Sequence, residues 1–139
     1  MKIGRILPLV AGLLLWGSVS VFAEDMQFVD AVGPTGYYVD VDSIGYTQTV
    51  EMLPDNQQKQ YELVQARVAV IKARTNRRYI YWMQFNREKL VYRILSSKVQ
   101  VYDTKEIVEE NNIPTPEFPF VETSPMQTVV NFIYEQPRK

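Results

Sequence analysis

The sequence predicts an α+β fold, a single twisted antiparallel β-sheet in meander order with a C-terminal α-helix packed on one face. Three observations carry that expectation. Between residues 61 and 73, Val64, Ala66, Val68 and Val70 alternate with Gln65, Arg67, Ala69 and Ile71, the period-two pattern of a strand with one buried face. The segments that follow have strand composition and are joined by short, turn-rich links, too short for the crossover that parallel neighbours need. Near the end, Met126, Val129, Val130 and Ile133 fall at i, i+3, i+4 and i+7, one apolar stripe along a helix.

The first 23 residues read as an export signal. Lys2 and Arg5 precede an apolar stretch, residues 6–16, that is broken only by Pro8 and Gly12. Gly17, Ser18 and Ser20 follow, then Val21-Phe22-Ala23 with Glu24 and Asp25 just beyond. Signal peptidase reads that layout, so cleavage is expected near Ala23. The apolar stretch is shorter than the roughly 20 residues that span a bilayer, and no membrane span is expected in the mature form. Residues 1–23 are thus assigned to the signal and residues 24–139 to a single α+β domain. The expected location is extracytoplasmic: periplasm, cell surface or secreted.

The 139-residue chain has no Cys and no His. It has no thiol for a disulfide or an N-terminal lipid anchor, and a body of this size can fold on packing and hydrogen bonds alone. Without imidazole or thiol there is no Ser-His or Cys-His pair and no zinc site of the usual kinds. Loss of Lys2 and Arg5 with the leader leaves more acids than bases, which argues against a general nucleic-acid binder. No catalytic, cofactor or metal residues are assigned.

Along the body, residues 24–36 read as a polar lead-in closed by the turn Gly33-Pro34-Thr35-Gly36. Residues 37–41 have strand composition, Asp42-Ser43 reads as a turn, and Ile44 is expected in the core. Residues 46–52 are ambiguous. Leu53-Pro54-Asp55-Asn56 is a turn. After the strand at 61–73 comes the turn Arg74-Thr75-Asn76-Arg77. The next strand, 78–86, sets Tyr79, Tyr81, Met83 and Phe85 on one side and Ile80, Trp82 and Gln84 on the other. Residues 87–89 turn the chain into a strand at 90–102, with a bend expected near Ser96-Ser97. Ile107-Val108 has short-strand character. Pro114, Pro116 and Pro119 make residues 113–119 an extended connector. Ser124 as N-cap, Pro125 at N1 and Gln127 in a capping box open the helix, and Pro137 ends it.

Two groups are candidates for binding. Arg74, Arg77 and Arg78 form the one basic cluster, at a hairpin tip, with Lys72 and Arg67 on the same ribbon. They suit an anionic partner such as a sulfated glycan or acidic protein, or serve as a solvated turn that guards a sheet edge. Tyr81 and Trp82 lie in an aromatic-rich strand. Aromatic side chains there suit stacking or ordinary cross-strand packing. Large groups on both sides of this strand, with one helix to cover them, predict an exposed apolar face, for which a homodimer through a sheet face or edge is the simplest use. Asp40 and Asp42, at i and i+2, are far short of the six to eight oxygens of a calcium site.

Tyr37-Tyr38-Val39-Asp40-Val41-Asp42-Ser43-Ile44, a strand ending in Val101-Tyr102-Asp103, and Thr123-Ser124-Pro125 before a short helix together resemble the bacterial surface-adhesin protein E family. Members anchored as lipoproteins carry an N-terminal Cys, and some carry a Cys near the final helix; this chain has Ile133-Tyr134-Glu135 there. The resemblance implies a one-sheet α+β fold with a packed helix and no enzymatic activity. Together these readings lead to an exported, non-enzymatic, adhesin-like binding module that engages a host-matrix or envelope protein or an anionic surface. The alternative is a periplasmic structural or inhibitor-like protein that binds another envelope protein.

Overall fold

Period-two alternation needs a partner strand on each side, and the chain supplies them in sequence order. The structure is a computed structural model that describes residues 25–138; the expected signal lies outside the described residues. Strands β1 (Met26–Val32), β2 (Thr35–Met52), β3 (Gln58–Lys72), β4 (Arg77–Asn86), β5 (Val91–Val101) and β6 (Ile107–Asn111) neighbour one another in that order in one antiparallel sheet. A two-residue strand, β7 (Phe118–Pro119), pairs with β5. Helix α1 (Pro125–Glu135) follows. The fold is therefore the predicted antiparallel meander with one C-terminal helix.

The helix begins as expected. Ser124 has extended φ and ψ, its side chain accepts from the Gln127 amide, and Pro125 occupies the first turn. Only half of a capping box forms, because the Gln127 side chain donates to Asn131 Oδ1 at 2.8 Å instead of reaching back. Val129, Val130 and Ile133 are 0% exposed. They pack with Val39 of β2, Val64, Ala66 and Val68 of β3, Met83 and Phe85 of β4, and Phe120. Direct pairing of Val64 with Phe85 and of Ala66 with Met83 sets these side chains on one face, hereafter the helix face.

Four sequence readings are corrected. Residues 24–36 are not a lead-in, since Met26–Val32 is an edge strand. Its alternation is broken by a bulge at Val29, where the register steps from Phe28 to Asp30, so no period is visible. The turn at its end is narrower than read. Gly33 and Pro34 alone connect β1 to β2, with Gly33 at φ 57°, the left-handed backbone that tight hairpin turns require.

Asp42-Ser43 is not a turn either. Strand β2 runs through it, and residues 41–44 bulge out opposite Ala66 between the pairs Asp40–Arg67 and Gly45–Gln65. Local side chains replace the missing ladder bonds. The Asp42 amide donates to Asp40 Oδ1 at 3.1 Å. Ser43 Oγ donates to the Asp40 carbonyl at 2.7 Å and accepts from the Arg67 amide at 2.8 Å. Ile44 then packs against the core, as expected. Residues 46–52, ambiguous in sequence, continue β2.

The bend expected near Ser96-Ser97 is a bulge one residue earlier. Leu95 is the extra residue between the pairs Trp82–Ser96 and Met83–Ile94. The sheet's other margin is also irregular, because Val108 of β6 is skipped between the pairs Val99–Glu109 and Gln100–Ile107.

Candidate binding face

Adjacent residues in a strand point to opposite sides, and this divides the sequence-predicted cluster in two. Lys72 pairs with Arg77 across β3 and β4, in the same alternation as Val70–Tyr79 and Val68–Tyr81. Lys72, Arg77 and Tyr81 therefore belong to the helix face. There Tyr79 and Tyr81 stack with ring centroids 6.3 Å apart, and Lys72 Nζ lies 5.2 Å from the Tyr79 ring centre. Tyr81 packs against the core. Burial, then the neighbouring Tyr79, Tyr92 and Tyr37, pushes its phenol above the usual tyrosine range. Arg74 lies apart from both faces, exposed in the short 3-10 turn Ala73–Thr75.

Arg78 and Trp82 lie on the opposite face. Three cross-strand rows build it. The first is Asp40–Arg67–Trp82–Ser96, the second Phe28–Tyr38–Ala69–Ile80–Lys98, and the third Gly36–Ile71–Arg78–Gln100. Gln84 and Arg93 pair in the next row beyond Trp82. Helix α1 is the one α-helix among the described residues and it packs on the other side, so no described helix covers this face, hereafter the open face. Its apolar centre consists of Tyr38, Ala69, Ile71, Ile80 and Trp82. Ala69 is 1% exposed. Phe28, at the margin, is 57% exposed.

The groups on this face are held in place. Phe28 and Tyr38 meet edge to face at 5.5 Å. The Tyr38 ring lies along its own strand over Gly36, where an added Cβ would come within 3.1 Å of it. Arg67 Nη1 donates to Asp40 Oδ2 at 3.3 Å, and its guanidinium lies 6.0 Å from the Trp82 ring centre. Asp40 is 3% exposed. Its Oδ1 accepts from the Asp25 and Asp42 amides at 3.2 and 3.1 Å, so the carboxylate is occupied by the protein's own donors. Arg78 Nη1 donates to Gln100 Oε1 at 2.9 Å, and Arg93 Nε donates to the Thr115 carbonyl at 3.0 Å.

The sequence reading took Arg74, Arg77, Arg78 and Lys72 as a basic hairpin tip and Tyr81 and Trp82 as part of an aromatic group, and the register divides each of these sets between the two faces. That reading missed Phe28, Tyr38, Ile71, Ile80, Arg93 and Lys98 as members of one surface. The signal was present for Ile80 and Trp82, which alternate away from the core. The other members come from strands far apart in sequence, and only the register joins them. Among the described residues, no three acidic side chains gather as a metal site would need, and no helix is long and apolar enough to cross a membrane. No family model, curated protein or solved structure matches the chain.

Proposed function

We propose that the chain is an exported, non-enzymatic binding module, adhesin-like in use, that engages a protein partner through its open sheet face. The observation that carries this reading is the face itself. A sheet with an apolar, aromatic centre and a rigidly held basic rim has no covering element among the described residues. Its centre residues Tyr38, Ile71, Ile80 and Trp82 are part-buried and Phe28 at its margin is exposed, and apolar surface still in contact with water commonly serves association. The leader supports export. The lack of His and Cys supports a role without acid–base or thiol catalysis at neutral pH. The resemblance of residues 37–44 and 123–125 to the surface-adhesin protein E family supports the adhesive use.

The test is capture from envelope and host-matrix extracts by the wild-type chain and by an Ile80→Asp, Trp82→Ser variant whose fold is verified by circular dichroism. A partner retained by the wild type and lost by the variant supports the reading. A partner retained equally by both removes the open face from consideration. Protease treatment of intact cells separates a surface protein, which is degraded, from a periplasmic one that binds an envelope protein, which is spared. Intact-mass analysis of the exported product checks cleavage after Ala23.

A further inference from the structure

From the straight edge of β2 between Gly45 and Met52, which no strand among the described residues covers, we infer that two copies of the chain pair there, antiparallel about Thr49, into one continuous sheet. This edge is separate from the open face, and neither reading depends on the other.

The edge exists because β2 outruns its neighbour. Strand β1 covers β2 from Thr35 to Asp40, with one further bond from the Val41 amide to the Asp25 carbonyl. The rest of the β2–β3 hairpin keeps unbroken register from Gly45–Gln65 to Met52–Gln58. Strand β4 begins to pair with β3 only at Val64, so from Thr47–Leu63 outward the sheet is two strands wide among the described residues. A two-stranded ribbon is marginal by itself in water, and a further strand steadies it. Strands β1 and β6 each skip a residue; residues 45–52 skip none and contain no proline. Their one charge, Glu51, pairs with Lys89 at 2.8 Å. Val50 and Met52 are 56% and 58% exposed. A long edge of this kind is a ready template for another strand.

Backbone direction selects a second copy as the occupant. The Leu53 amide donates to the Gln57 carbonyl at 2.8 Å. Alternation along this ladder then turns the amides and carbonyls of Tyr46, Gln48, Val50 and Met52 away from β3. With a two-fold axis at Thr49, these residues meet only one another. Tyr46 lies opposite Met52 of the second copy, Gln48 lies opposite its Val50, and the reverse pairs follow by symmetry. Each pair exchanges two bonds, about eight in all. Thr49 meets its own counterpart, a favourable cross-strand pair. Glu51 faces Thr47 and lies about 14 Å from the other Glu51, four residues away at about 3.4 Å each, so no like charges are opposed. The exposed Val50 and Met52 gain the Gln48 stem and the Tyr46 ring as neighbours. The contact is short, so the pairing is weak and depends on concentration. Both edges are used up in it, so assembly stops at two copies.

The test is crosslinking that reads the register, in a chain with no Cys of its own. In the exported chain, Thr49→Cys sets two thiols at facing positions whose Cα atoms are about 4.5 Å apart, within reach of a disulfide. Glu51→Cys sets them about 14 Å apart. Under copper–phenanthroline oxidation the Thr49→Cys dimer should form about tenfold or more faster than the Glu51→Cys dimer. Sedimentation equilibrium of the wild type should show monomer and dimer in exchange. Val50→Pro removes an outward amide and none of the ribbon's own bonds, and should weaken the dimer about tenfold or more. Gln48→Lys, Val50→Lys opposes like charges across the axis and should do the same, which covers the case of a proline variant that fails to fold.

The inference is overturned by a monomer at every concentration into the millimolar range, by equal crosslinking of the two Cys variants, or by a dimer that survives the double Lys change. A dimer lost in the Ile80→Asp, Trp82→Ser variant but kept in the edge variants would place the contact on the open face and overturn it as well. Capture of a foreign partner is read separately, so failure here leaves the open-face reading standing.

Discussion

Asp40 shows how one side chain can hold an irregular stretch of backbone. It occupies the position where β2 leaves its ladder, and its carboxylate accepts from the Asp25 and Asp42 amides and from Arg67. Asp40→Ala strips those donors of their acceptor in a buried place, and a loss of about 2 kcal/mol is expected in urea unfolding. The segment from Tyr37 to Ile44 was legible as something special in the sequence, but its meaning was not. Asp-x-Asp-Ser has turn chemistry, and nothing local tells a turn from a bulge that lets the strand continue. A second residue-scale case is Asn76, at φ 57°. Its side-chain amide donates to Asp103 Oδ1 and its side-chain oxygen accepts from the Asp103 amide, which ties two hairpin turns together. Asn76→Ala should lower stability by about 1–2 kcal/mol through the left-handed backbone and the lost bonds. Asn76→Gly should recover the backbone part, and comparison of the two urea midpoints checks this.

At the scale of elements, the helix was the most legible piece, because its cap, its first-turn proline and its stripe all agree. Val130, 0% exposed, lies at the centre of its buried stripe. Val130→Asp should cost roughly 3–5 kcal/mol, the scale of an uncompensated buried charge. A loss below about 1 kcal/mol would contradict the packing described for α1. Ser124→Ala should cost about 1 kcal/mol, since one amide of the first turn loses its acceptor. Thermal unfolding of both variants checks these values. Strands β3 and β4 were legible because their core-facing side chains alternate along the ladder, and β5, interrupted at Leu95, was legible from its strand composition and short connection. Strand β1 was hidden by the bulge at Val29. The open face was half legible, since the side of β4 that carries Ile80 and Trp82 could be read, but its neighbours on β1, β2 and β5 depend on register that no single strand encodes.

For the whole molecule, the end of the chain acts as a tie. Arg138 forms a two-pronged bond with Glu62 at 2.8 and 2.9 Å and lies 3.8 Å from the Tyr46 ring centre, fastening the segment after α1 to strands β2 and β3. The Arg138 hydrogen bond is the main cause that holds the Glu62 carboxyl below its ordinary 4.5. A lowered carboxyl value gives stability that is present above the ordinary value and lost as pH falls through the folded one. Stability should therefore drop on acidification below about pH 4.5, and Arg138→Ala should flatten the curve in that window, as urea midpoints across the acid range would show. Burial and the nearby Glu62 charge push the Tyr134 phenol up to about 12. Its proton is held more tightly in the folded state, so stability should decline from about pH 10 towards 12, and ultraviolet titration should find Tyr134, together with the also raised Tyr81, ionising later than an ordinary tyrosine. The two outermost strands add a property of populations of molecules. Each has a skipped residue, at Val29 and at Val108, and β6 also carries Glu109 and Glu110. Ragged, negatively charged borders give a neighbouring copy no straight seam to extend. Lateral joining of molecules, strand against strand, is thereby disfavoured at either border.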